Sequence, residues 1–501
     1  MFPKKRLLIW ISFTLATLIS ITGVASFLLS PLRALIMSSW LMEIKAKPSV
    51  ADVVEERQKL TVAPSPFVYL PLVRQNYRTN FPPFGAHMLG EINDAEARTL
   101  AIEAGIHWAR GIWLNWATIE PKNRDLSRRP RSGNWEKYDN LFADLNSADL
   151  MPIVTITGNP SWAASTSCGP IDRAPLSEFA EFIGALAERY DGDGINDAPG
   201  SPVVRYWEFY NEPDNTDDEF GEYLGGCWGN YGREYAEMLR SAYQALKKAD
   251  PQAKVLIGGL AYDSFTDEGG PFNRAFLDDV LANGGGNYFD FMNFHYHRHA
   301  AWRWDPYGPE ARGKVAYLRD KLSSYGLSKP FVCTEDGEKH YDPAHPDWYS
   351  DERQSRYVVM SLIRGMAADL KIVVWFTFGY FIDNLNREWG LLDSDLNPRP
   401  AYYAYKTLTG ELGGAHYERP LSASGIEGYV FSLAEGVERS VLWATEETTT
   451  MSFPGNQLRV VDKYGAESII KDGDVSDLDG TANGSIEIEI SLSPIYVEAK
   501  P

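Results

Sequence analysis

Two glutamates occupy matching positions in distant parts of the chain, each at the end of a short run of apolar and β-forming residues. Glu212 lies in residues 207–213 (WEFYNEP), and Glu335 lies in residues 331–337 (FVCTEDG). Runs of this kind predict strands that give way to loops. Two carboxylates at one sheet edge can break a glycosidic bond, because one protonates the leaving oxygen while the other attacks the anomeric carbon. The pair therefore predicts an enzyme.

The sequence around the pair alternates between β-type runs and amphipathic helical runs. In one helical run Tyr235, Met238, Leu239, Ala242 and Leu246 recur at helical spacing, and Asp250-Pro251 ends it. Eight strand–helix units predict an α/β fold, a (β/α)8 TIM barrel over residues 81–411. A doubly wound sheet is disfavoured because no G-x-G-x-x-G follows an early strand. The eight predicted strands cover residues 84–88, 108–112, 152–157, 203–210, 255–259, 289–295, 331–334 and 372–378.

The pattern changes after the barrel, where short strand-like runs are separated by turn residues. It predicts a small β-sandwich over residues 412–501, whose expected role is to pack against the barrel. The predicted strands include residues 430–433, 440–443, 458–461, 486–490 and 496–498.

The amino terminus carries a basic cluster, residues 4–6 (KKR), ahead of an uncharged run over residues 7–29. That run matches the roughly 20 residues of a transmembrane helix better than the shorter core of a signal peptide. Residues 1–30 are therefore expected to be a membrane anchor, with a cleaved signal ending near Ser26 as the alternative. In either case the chain is exported, to an extracellular or cell-surface location. The proline-containing stretch that follows, within residues 31–80, is interpreted as a linker.

Composition narrows the range of partners. The chain has 501 residues, a formal net charge of -20 and 23% charged residues. An acidic globular protein of this kind is not expected to bind nucleic acid. The three cysteines have no metal-binding spacing. Cys168 and Cys227 are predicted to follow adjacent strands, so a disulfide between them is plausible, whereas Cys333 is expected to be buried.

The positions of the two glutamates in the strand count carry a resemblance. An Asn-Glu-Pro sequence after the fourth strand, with a glutamate ending the seventh, resembles clan A of the glycoside hydrolases. The resemblance implies that Glu212 is the acid/base, that Glu335 is the nucleophile and that Asn211 binds a sugar hydroxyl. Arg110 matches the clan's arginine near the nucleophile, and Trp375 matches the tryptophan beneath the reacting sugar. The mechanism needs no cofactor.

The sixth predicted strand departs from the clan's pattern. Its end reads Asn293-Phe294-His295-Tyr296-His297, where the clan often has His-x-Tyr with the tyrosine bonded to the nucleophile. Strand alternation places His295 and His297 on one face. Either a bulge shifts Tyr296 toward the nucleophile or His297 takes its place. A zinc site formed by His295, His297 and His299 is conceivable but disfavoured, because His299 would lie in a loop, and no metal is expected.

Further residues are candidates for binding sugar. Asn159 and Trp162 follow the third strand and offer a polar group beside an aromatic platform. Glu208 and Asp336 are the alternative carboxylates, but the first is expected to be buried and paired and the second is out of phase with Glu335. Some of the predicted loop tryptophans are expected to line the cleft: Trp228, Trp302, Trp304, Trp348 and Trp389.

Within clan A the sequence is most similar to family 39 and its relatives, through residues 207–213, 389–393 (WGLLD), 398–405 (PRPAYYAY) and 493–497 (SPIYV). The resemblance implies an exported retaining hydrolase of O-glycosidic bonds that acts on a carbohydrate substrate. A catalytically inactive carbohydrate-binding barrel and a transglycosylase using the same covalent intermediate are the alternatives. The sugar, its anomer, the choice between endo and exo action and the oligomeric state do not follow from the sequence.

Overall fold

The computed structural model describes residues 81–126 and 133–500 of the chain. The predicted anchor, residues 1–30, and the predicted linker, residues 31–80, both lie outside these ranges. Within the described part, no helix has the length and apolar character needed to cross a membrane.

Eight parallel strands form one sheet, and their spatial order is β5-β4-β3-β2-β1-β8-β7-β6. This confirms the predicted barrel. Strands β5 and β6, at the two ends of that order, are joined by the isolated bridges Leu256–Phe291 and Leu260–Phe294. The strands are β1 Phe84–His87, β2 Trp108–Asn115, β3 Met151–Thr157, β4 Tyr206–Asn211, β5 Lys254–Gly259, β6 Met292–His297, β7 Phe331–Gly337 and β8 Leu370–Trp375.

Helices separate the strands and bury one apolar face against the sheet. In α6 the predicted apolar positions, from Tyr235 to Leu246, are all buried, and the helix ends just before Asp250-Pro251, where proline cannot continue it. The helices are α1 Ala95–Glu103, α2 Trp116–Ile119, α3 Glu136–Ser147, α4 Leu176–Arg189, α5 Asp218–Leu224, α6 Gly232–Ala249, α7 Phe276–Ala282, α8 Ala301–Trp304, α9 Ala311–Ser324, α10 Asp351–Ala367 and α11 Pro400–Leu412.

A short hairpin follows β8, and antiparallel strands follow α11. The main antiparallel sheet has the order β11-β12-β13-β18-β15-β16, and β14 pairs with β17. These sheets confirm the predicted β-sandwich. The strands are β9 Phe381–Ile382 and β10 Glu388–Trp389 in the hairpin, then β11 His416–Ala423, β12 Ile426–Ser432, β13 Glu438–Ala444, β14 Thr449–Pro454, β15 Gln457–Asp462, β16 Glu467–Lys471, β17 Ser485–Ile490 and β18 Ile495–Lys500.

Side chains of the sandwich bond to several helices of the barrel wall, and α10 provides two of these contacts. Arg364 of α10 donates two hydrogen bonds to Glu427 of β12, at 2.8 and 2.7 Å. Glu352, at the start of the same helix, accepts a hydrogen bond from Lys463 at 3.0 Å. Guanidinium–carboxylate pairs with two parallel bonds fix orientation as well as distance, so α10 holds the sandwich in a defined position.

Candidate active site

The ends of β4, β6 and β7 bring the two glutamates and one histidine together. An oxygen of Glu212, an oxygen of Glu335 and a ring nitrogen of His295 all lie within 4.8 Å of one another. Both glutamates are largely buried, with 8% and 7% of their surfaces exposed. A retaining glycosidase needs its carboxyl groups about 5–5.5 Å apart, whereas an inverting one needs about 6.5–9.5 Å. The spacing of this pair matches the retaining arrangement.

The backbone turns sharply where β4 gives way to its loop. Tyr210 and Glu212 both have positive φ angles, 61° and 44°, which are uncommon for residues other than glycine. The backbone N–H of Glu212 donates to the carbonyl of Gly259 at 3.0 Å, and this bond fixes the turn against β5. Backbone in such regions costs about 1–3 kcal/mol and is maintained only by its surroundings. Here it fixes the backbone from which the Glu212 side chain reaches Glu335.

Arg110 organises the base of the site. Its guanidinium is fully buried and donates to Glu335 Oε1 at 2.6 Å and to Asn211 Oδ1 at 2.5 Å. The same group donates twice to Glu208, at 2.8 and 3.1 Å. A planar fork with five N–H groups can satisfy three acceptors at once, which a lysine cannot. The predicted position of Arg110 beside Glu335 is therefore found, and Asn211 is held in the same network.

Glu208 is the buried, paired carboxylate that its position in the strand predicts. It has no exposed surface. Apart from Arg110, it accepts hydrogen bonds from Thr155 Oγ1 (2.8 Å), the Gly259 N–H (2.9 Å) and Asn293 Nδ2 (2.8 Å). A buried charge persists in a protein only when it is paired and hydrogen-bonded. Glu208 is satisfied by the protein itself, so its role is to hold Arg110.

Three histidines surround Glu335. His297 Nε2 lies 3.6 Å from Glu335 Oε2, and His295 Nδ1 lies 3.7 Å from the same oxygen and 3.0 Å from Glu212 Oε1. His87, at the end of β1, places Nδ1 3.7 Å from Glu335 Oε1. His87 was not among the predicted site residues, because a single histidine at the end of a strand forms no motif. Its only signal was its position at the end of the first of eight strands.

The two glutamates have pKa values shifted in opposite directions. Burial, followed by the negative charge of Glu335, raises the pKa of Glu212 well above its ordinary value. Burial alone would also raise the pKa of Glu335, but the charge of Arg110 and a hydrogen bond with His297 outweigh it and lower that pKa well below its ordinary value. One carboxyl group therefore keeps its proton while the other is ionised. Carboxyl groups tuned apart in this way serve as acid and nucleophile.

Burial also keeps two of the histidines neutral. It lowers the pKa of His87 to about 3 and lowers that of His295 well below its ordinary value. His87 Nδ1 therefore accepts a hydrogen bond from Arg110 Nη1 at 3.1 Å and forms no ion pair with Glu335. Since His295 is neutral as well, Arg110 provides the permanent positive charge beside Glu335.

Strand alternation separates side chains that face the site from those that face the helices. In the register of β6 and β7, His295 is opposite Glu335, and Tyr296 is opposite Asp336. Tyr296 is buried on the outer side and donates to Glu310 Oε2 at 2.5 Å. The structure thus decides between the two alternatives for this strand: His297, and not Tyr296, lies beside the nucleophile. The register shift in the ladder falls between Phe294 and His295, so it precedes both residues and leaves Tyr296 facing outward.

Asp336 and Trp375 share that outer face. Asp336 accepts a hydrogen bond from Ser361 Oγ of α10 at 2.6 Å, and burial raises its pKa to about 7. Trp375 is opposite Asp336 in the β7–β8 ladder, is fully buried and lies 6.1 Å from the ring of Tyr357. The prediction that Trp375 lies under the reacting sugar is therefore wrong, because Trp375 alternates along β8 with Val374, which packs in the barrel interior.

Phe376, the next residue, provides an aromatic wall instead. Its half-buried ring lies 5.0 Å from His87, 5.9 Å from His297 and 5.4 Å from Trp389. The peptide bond that joins it to Thr377 is cis. On the other side of His87, the Trp113 ring is half-buried and lies under the guanidinium of Arg110 at 5.9 Å. Sequence spacing pointed to neither Phe376 nor Trp113.

The polar groups of Asn159 and Trp162 form hydrogen bonds within the protein. Asn159 Nδ2 donates to the carbonyls of Thr166 and Gly169, and its Oδ1 accepts from Tyr210 at 2.6 Å. With both amide hydrogens used, Asn159 has none to donate, which corrects its assignment to substrate binding. The indole N–H of Trp162 donates to the carbonyl of Glu120 at 3.0 Å, so only its partly exposed ring face remains for a sugar.

The loop between β3 and α4 and the loop after β4 are joined by a disulfide between Cys168 and Cys227. The sequence had left this bond open. Cys333 is free and buried, as predicted.

The site is poorly suited to a metal ion, although its ligand atoms are close enough for one. Glu212, His295 and Glu335 present two oxygens and a nitrogen within a radius that a divalent cation accepts. However, Glu335 Oε1 accepts the Arg110 guanidinium, whose charge repels a cation. His295 and His297 face this carboxylate, and the side chain of His299 lies outside the described part, so the structure assembles no three-histidine zinc site from the residues it describes.

No family model and no curated protein matches the sequence. Solved structures do match. A family 39 glycoside hydrolase from Bacteroides cellulosilyticus WH2 has a TM-score of 0.61 at 18% identity, over 83% of this chain and 81% of that one. A monomeric beta-xylosidase from Caulobacter crescentus CB15 has a TM-score of 0.53 at 14% identity, over 84% and 96% of the two chains.

A GH30 endoxylanase from Clostridium papyrosolvens C71 has a TM-score of 0.52 at 11% identity, over 83% and 96%. The TM-scores establish a shared fold, and at such low sequence identities they leave the activity of this chain to be tested. The predicted resemblance is therefore confirmed at the level of the fold: the chain has the fold of clan A glycoside hydrolases and resembles family 39.

Proposed function

We propose that this protein is a retaining hydrolase of O-glycosidic bonds in oligosaccharides or polysaccharides, with Glu335 as the nucleophile and Glu212 as the acid/base. One observation carries the proposal: the two carboxyl groups meet within 4.8 Å and have pKa values shifted in opposite directions. Neither a structural ion pair nor a simple binding site requires a protonated and an ionised carboxyl group side by side.

In the first step, an oxygen of Glu335 forms a bond to the anomeric carbon as the bond from that carbon to the leaving oxygen breaks. Glu212 transfers its proton to that oxygen, and the alcohol or shortened sugar departs. Arg110 keeps Glu335 ionised before the attack, through the hydrogen bond of 2.6 Å. The neutral ring of His295 shares a hydrogen bond with Glu212 Oε1 and so orients the acid.

In the second step, Glu212 acts as a base. Forming the glycosyl ester removes the negative charge of Glu335, which is one of the causes that raise the pKa of Glu212. The pKa of Glu212 therefore falls, and its carboxylate accepts a proton from water as the water oxygen bonds to the anomeric carbon. The ester bond breaks, Glu335 is released as a carboxylate, and the sugar keeps its anomeric configuration.

The substrate class follows from this chemistry and from the structural neighbours, which are described as a glucosidase, xylosidase, xylanase and arabinofuranosidase. These names support a carbohydrate substrate for this chain and select no particular sugar. The expected substrate is thus a glycoside whose glycosidic oxygen can leave after protonation.

We further propose that the catalytic part is exported and that residues 7–29 anchor it to the membrane. The uncharged run after a basic cluster supports an anchor. The disulfide between Cys168 and Cys227 supports an oxidising location, because such bonds persist mainly outside the cytosol. Sequencing the amino terminus of the mature protein tests the anchor: a new terminus near Ser26 would show a cleaved signal instead.

The catalytic proposal is tested by screening chromogenic glycosides and polysaccharides with the wild type, Glu212→Gln and Glu335→Gln. The Glu335 variant is expected to lose measurable turnover. The Glu212 variant is expected to lose about 10²–10⁴-fold on substrates with poor leaving groups and much less on those with good ones. Glu120→Gln is the matched control, since Glu120 bonds to the Trp116 indole and to the Arg124 N–H. Undiminished activity in Glu335→Gln would contradict the mechanism.

A further inference from the structure

Exposure separates the five tryptophans predicted in loops at the barrel mouth. Trp228, Trp304 and Trp389 are buried, with 1%, 2% and 6% of their surfaces exposed, so they pack within the protein. Trp348 is 63% exposed, but one face of its ring is stacked on His345 at 4.4 Å. Trp302, in the segment that follows β6, is 65% exposed. An indole left in water at the mouth of a barrel offers a large apolar face at no packing benefit to the fold. Such a ring is available to stack on a ligand.

Trp302 is held in a fixed orientation by its neighbour. The guanidinium of Arg303 lies over the indole at 4.8 Å from the ring centre. Arg303 is fixed in turn by hydrogen bonds to the carboxylate of Glu268, one of them at 2.9 Å. A cation over one ring face leaves the other face open. The ring is therefore a rigid platform with one free side.

A cavity of about 280 Å³ lies beside this platform. Its walls include Ser264 and Glu268 from the loop after β5, and Ala300, Trp302 and Arg303 from the segment after β6. Polar groups next to an aromatic face suit a sugar, which presents hydroxyls at its edge and C–H groups on its faces. A space of this size is below the usual range for drug-sized ligands, about 300–1,000 Å³, and so suits a single sugar unit.

The charges around the cavity cancel. Arg274 and Arg303 both bond to Glu268, and Arg274 also bonds to Asp267. Two guanidinium groups thus face two carboxylates. A cavity intended for a uronic acid or an amino sugar would present an excess of one charge, so this one fits a neutral sugar.

The cavity adjoins the catalytic pair along the chain on both sides. Ser264 follows Asp263, which is near enough to contribute to the raised pKa of Glu212. Ala300 ends the short helix that begins directly after His297. The two walls of the cavity thus continue from residues that surround the two glutamates.

We propose that Trp302 and this cavity form a subsite that binds a neutral sugar unit of a polysaccharide, away from the bond that is cleaved. The inference rests on the proposed glycosidase function and deepens it, because it assigns a polymer as the substrate. A small glycoside spans the catalytic pair and leaves this subsite empty.

The test uses the Glu335→Gln protein, which holds a polymer without cutting it, with Trp302→Ala added. The probes are native affinity gels containing soluble xylan, arabinan or β-glucan, with polygalacturonate and chitosan as charged polymers. Tyr325→Ala is the matched control, because Tyr325 is 38% exposed and follows the last residue of α9, at the opposite end of the barrel. Melting temperatures verify that the three proteins are folded.

Loss of the stacking face is expected to raise the dissociation constant for a neutral polymer about tenfold, since much of the apolar contact of one ring is removed. The Tyr325 control is expected to bind as the parent does. In the active background, Trp302→Ala is expected to lower the ratio of polysaccharide to aryl-glycoside kcat/KM by a similar factor.

Equal retardation with and without Trp302, retardation by charged polymers alone, or no retardation of the parent by any neutral polymer would each overturn the subsite. Trp302-dependent binding in a protein whose wild type hydrolyses no glycoside would uphold the subsite and refute the proposed function. Hydrolysis of a polymer with binding independent of Trp302 would uphold the proposed function and refute the subsite.

Discussion

Replacing Arg110 with lysine tests how the site keeps Glu335 ionised. The substitution keeps a positive charge but removes the fork that bonds to Glu335, Asn211 and Glu208. The bond to Glu335, at 2.6 Å between buried groups, belongs to the charged class that contributes about 1.5–3 kcal/mol. Losing it raises the pKa of Glu335 by about 1–2 units, since one unit equals about 1.4 kcal/mol.

The sign of the pH dependence follows from the lowered pKa. A carboxyl group whose folded pKa is below its unfolded pKa stabilises the protein above the unfolded value, about 4.3, and loses that contribution as the pH falls through the folded value. Arg110→Lys is therefore expected to reduce the free energy of unfolding most at neutral pH. Its difference from the wild type should shrink below about pH 4, as measured by urea unfolding at several pH values.

The kinetic counterpart is the acidic limb of the profile of kcat/KM against pH, which reports the ionisation of Glu335 in the free protein. In Arg110→Lys this limb is expected to move up by about 1–2 pH units. Arg189→Lys is the matched control, because Arg189 forms a similar buried pair with Asp139, at 2.8 and 2.6 Å, in the helix layer. It should lose stability without moving the limb. A folded Arg110→Lys protein with an unmoved acidic limb would refute the reasoning.

Two further predictions follow from the site and its loops. His297→Phe is expected to lower kcat by at least about tenfold, because it removes the nitrogen beside Glu335. Tyr296→Phe should change stability and leave kcat within about twofold, because Tyr296 bonds to Glu310 on the outer face. Steady-state kinetics measures both, and equal effects in the two variants would show that the assignment of the two faces is wrong. Cys168→Ser is expected to lower the free energy of unfolding by about 2–4 kcal/mol, since the bond closes a loop with a sequence separation of 59 residues. Urea unfolding of the oxidised wild type and the variant measures this, and identical midpoints would contradict it.

The barrel and the catalytic pair could be predicted because both depend on periodic features. Strands alternate with helices along the chain, and parallel strands deliver their ends to one mouth, so Glu212 and Glu335 could be placed from a strand count. Arg110 was placed by the resemblance to the clan, and His295 by strand alternation. The β-sandwich was also evident as a change of pattern.

The residues that were misplaced depend on local register. Trp375 was placed by its match to the clan, but alternation along β8 puts it on the outer face, one residue out of phase with the site. Phe376 takes the inner position that a tryptophan was expected to fill. The prediction that Asn159 binds substrate was wrong for another reason. Its amide donates to backbone carbonyls in its own loop, and the positions of backbone carbonyls cannot be predicted from a pattern of side chains. The anchor stays a prediction, because residues 1–30 lie outside the described part of the chain.

The junction between β5 and β6, where the barrel closes, contains the side chain of His295. The backbone pairing there consists of isolated bridges, and a Cβ atom at Gly259 would meet His295 Nε2 at 2.1 Å. The imidazole thus fills the gap that the missing ladder leaves, while its other nitrogen contacts Glu212. The same ring therefore packs between the two strands and orients the acid. A substitution of His295 that improves packing between β5 and β6 would therefore change the group that orients Glu212. Thermal stability and turnover are thus coupled at this residue.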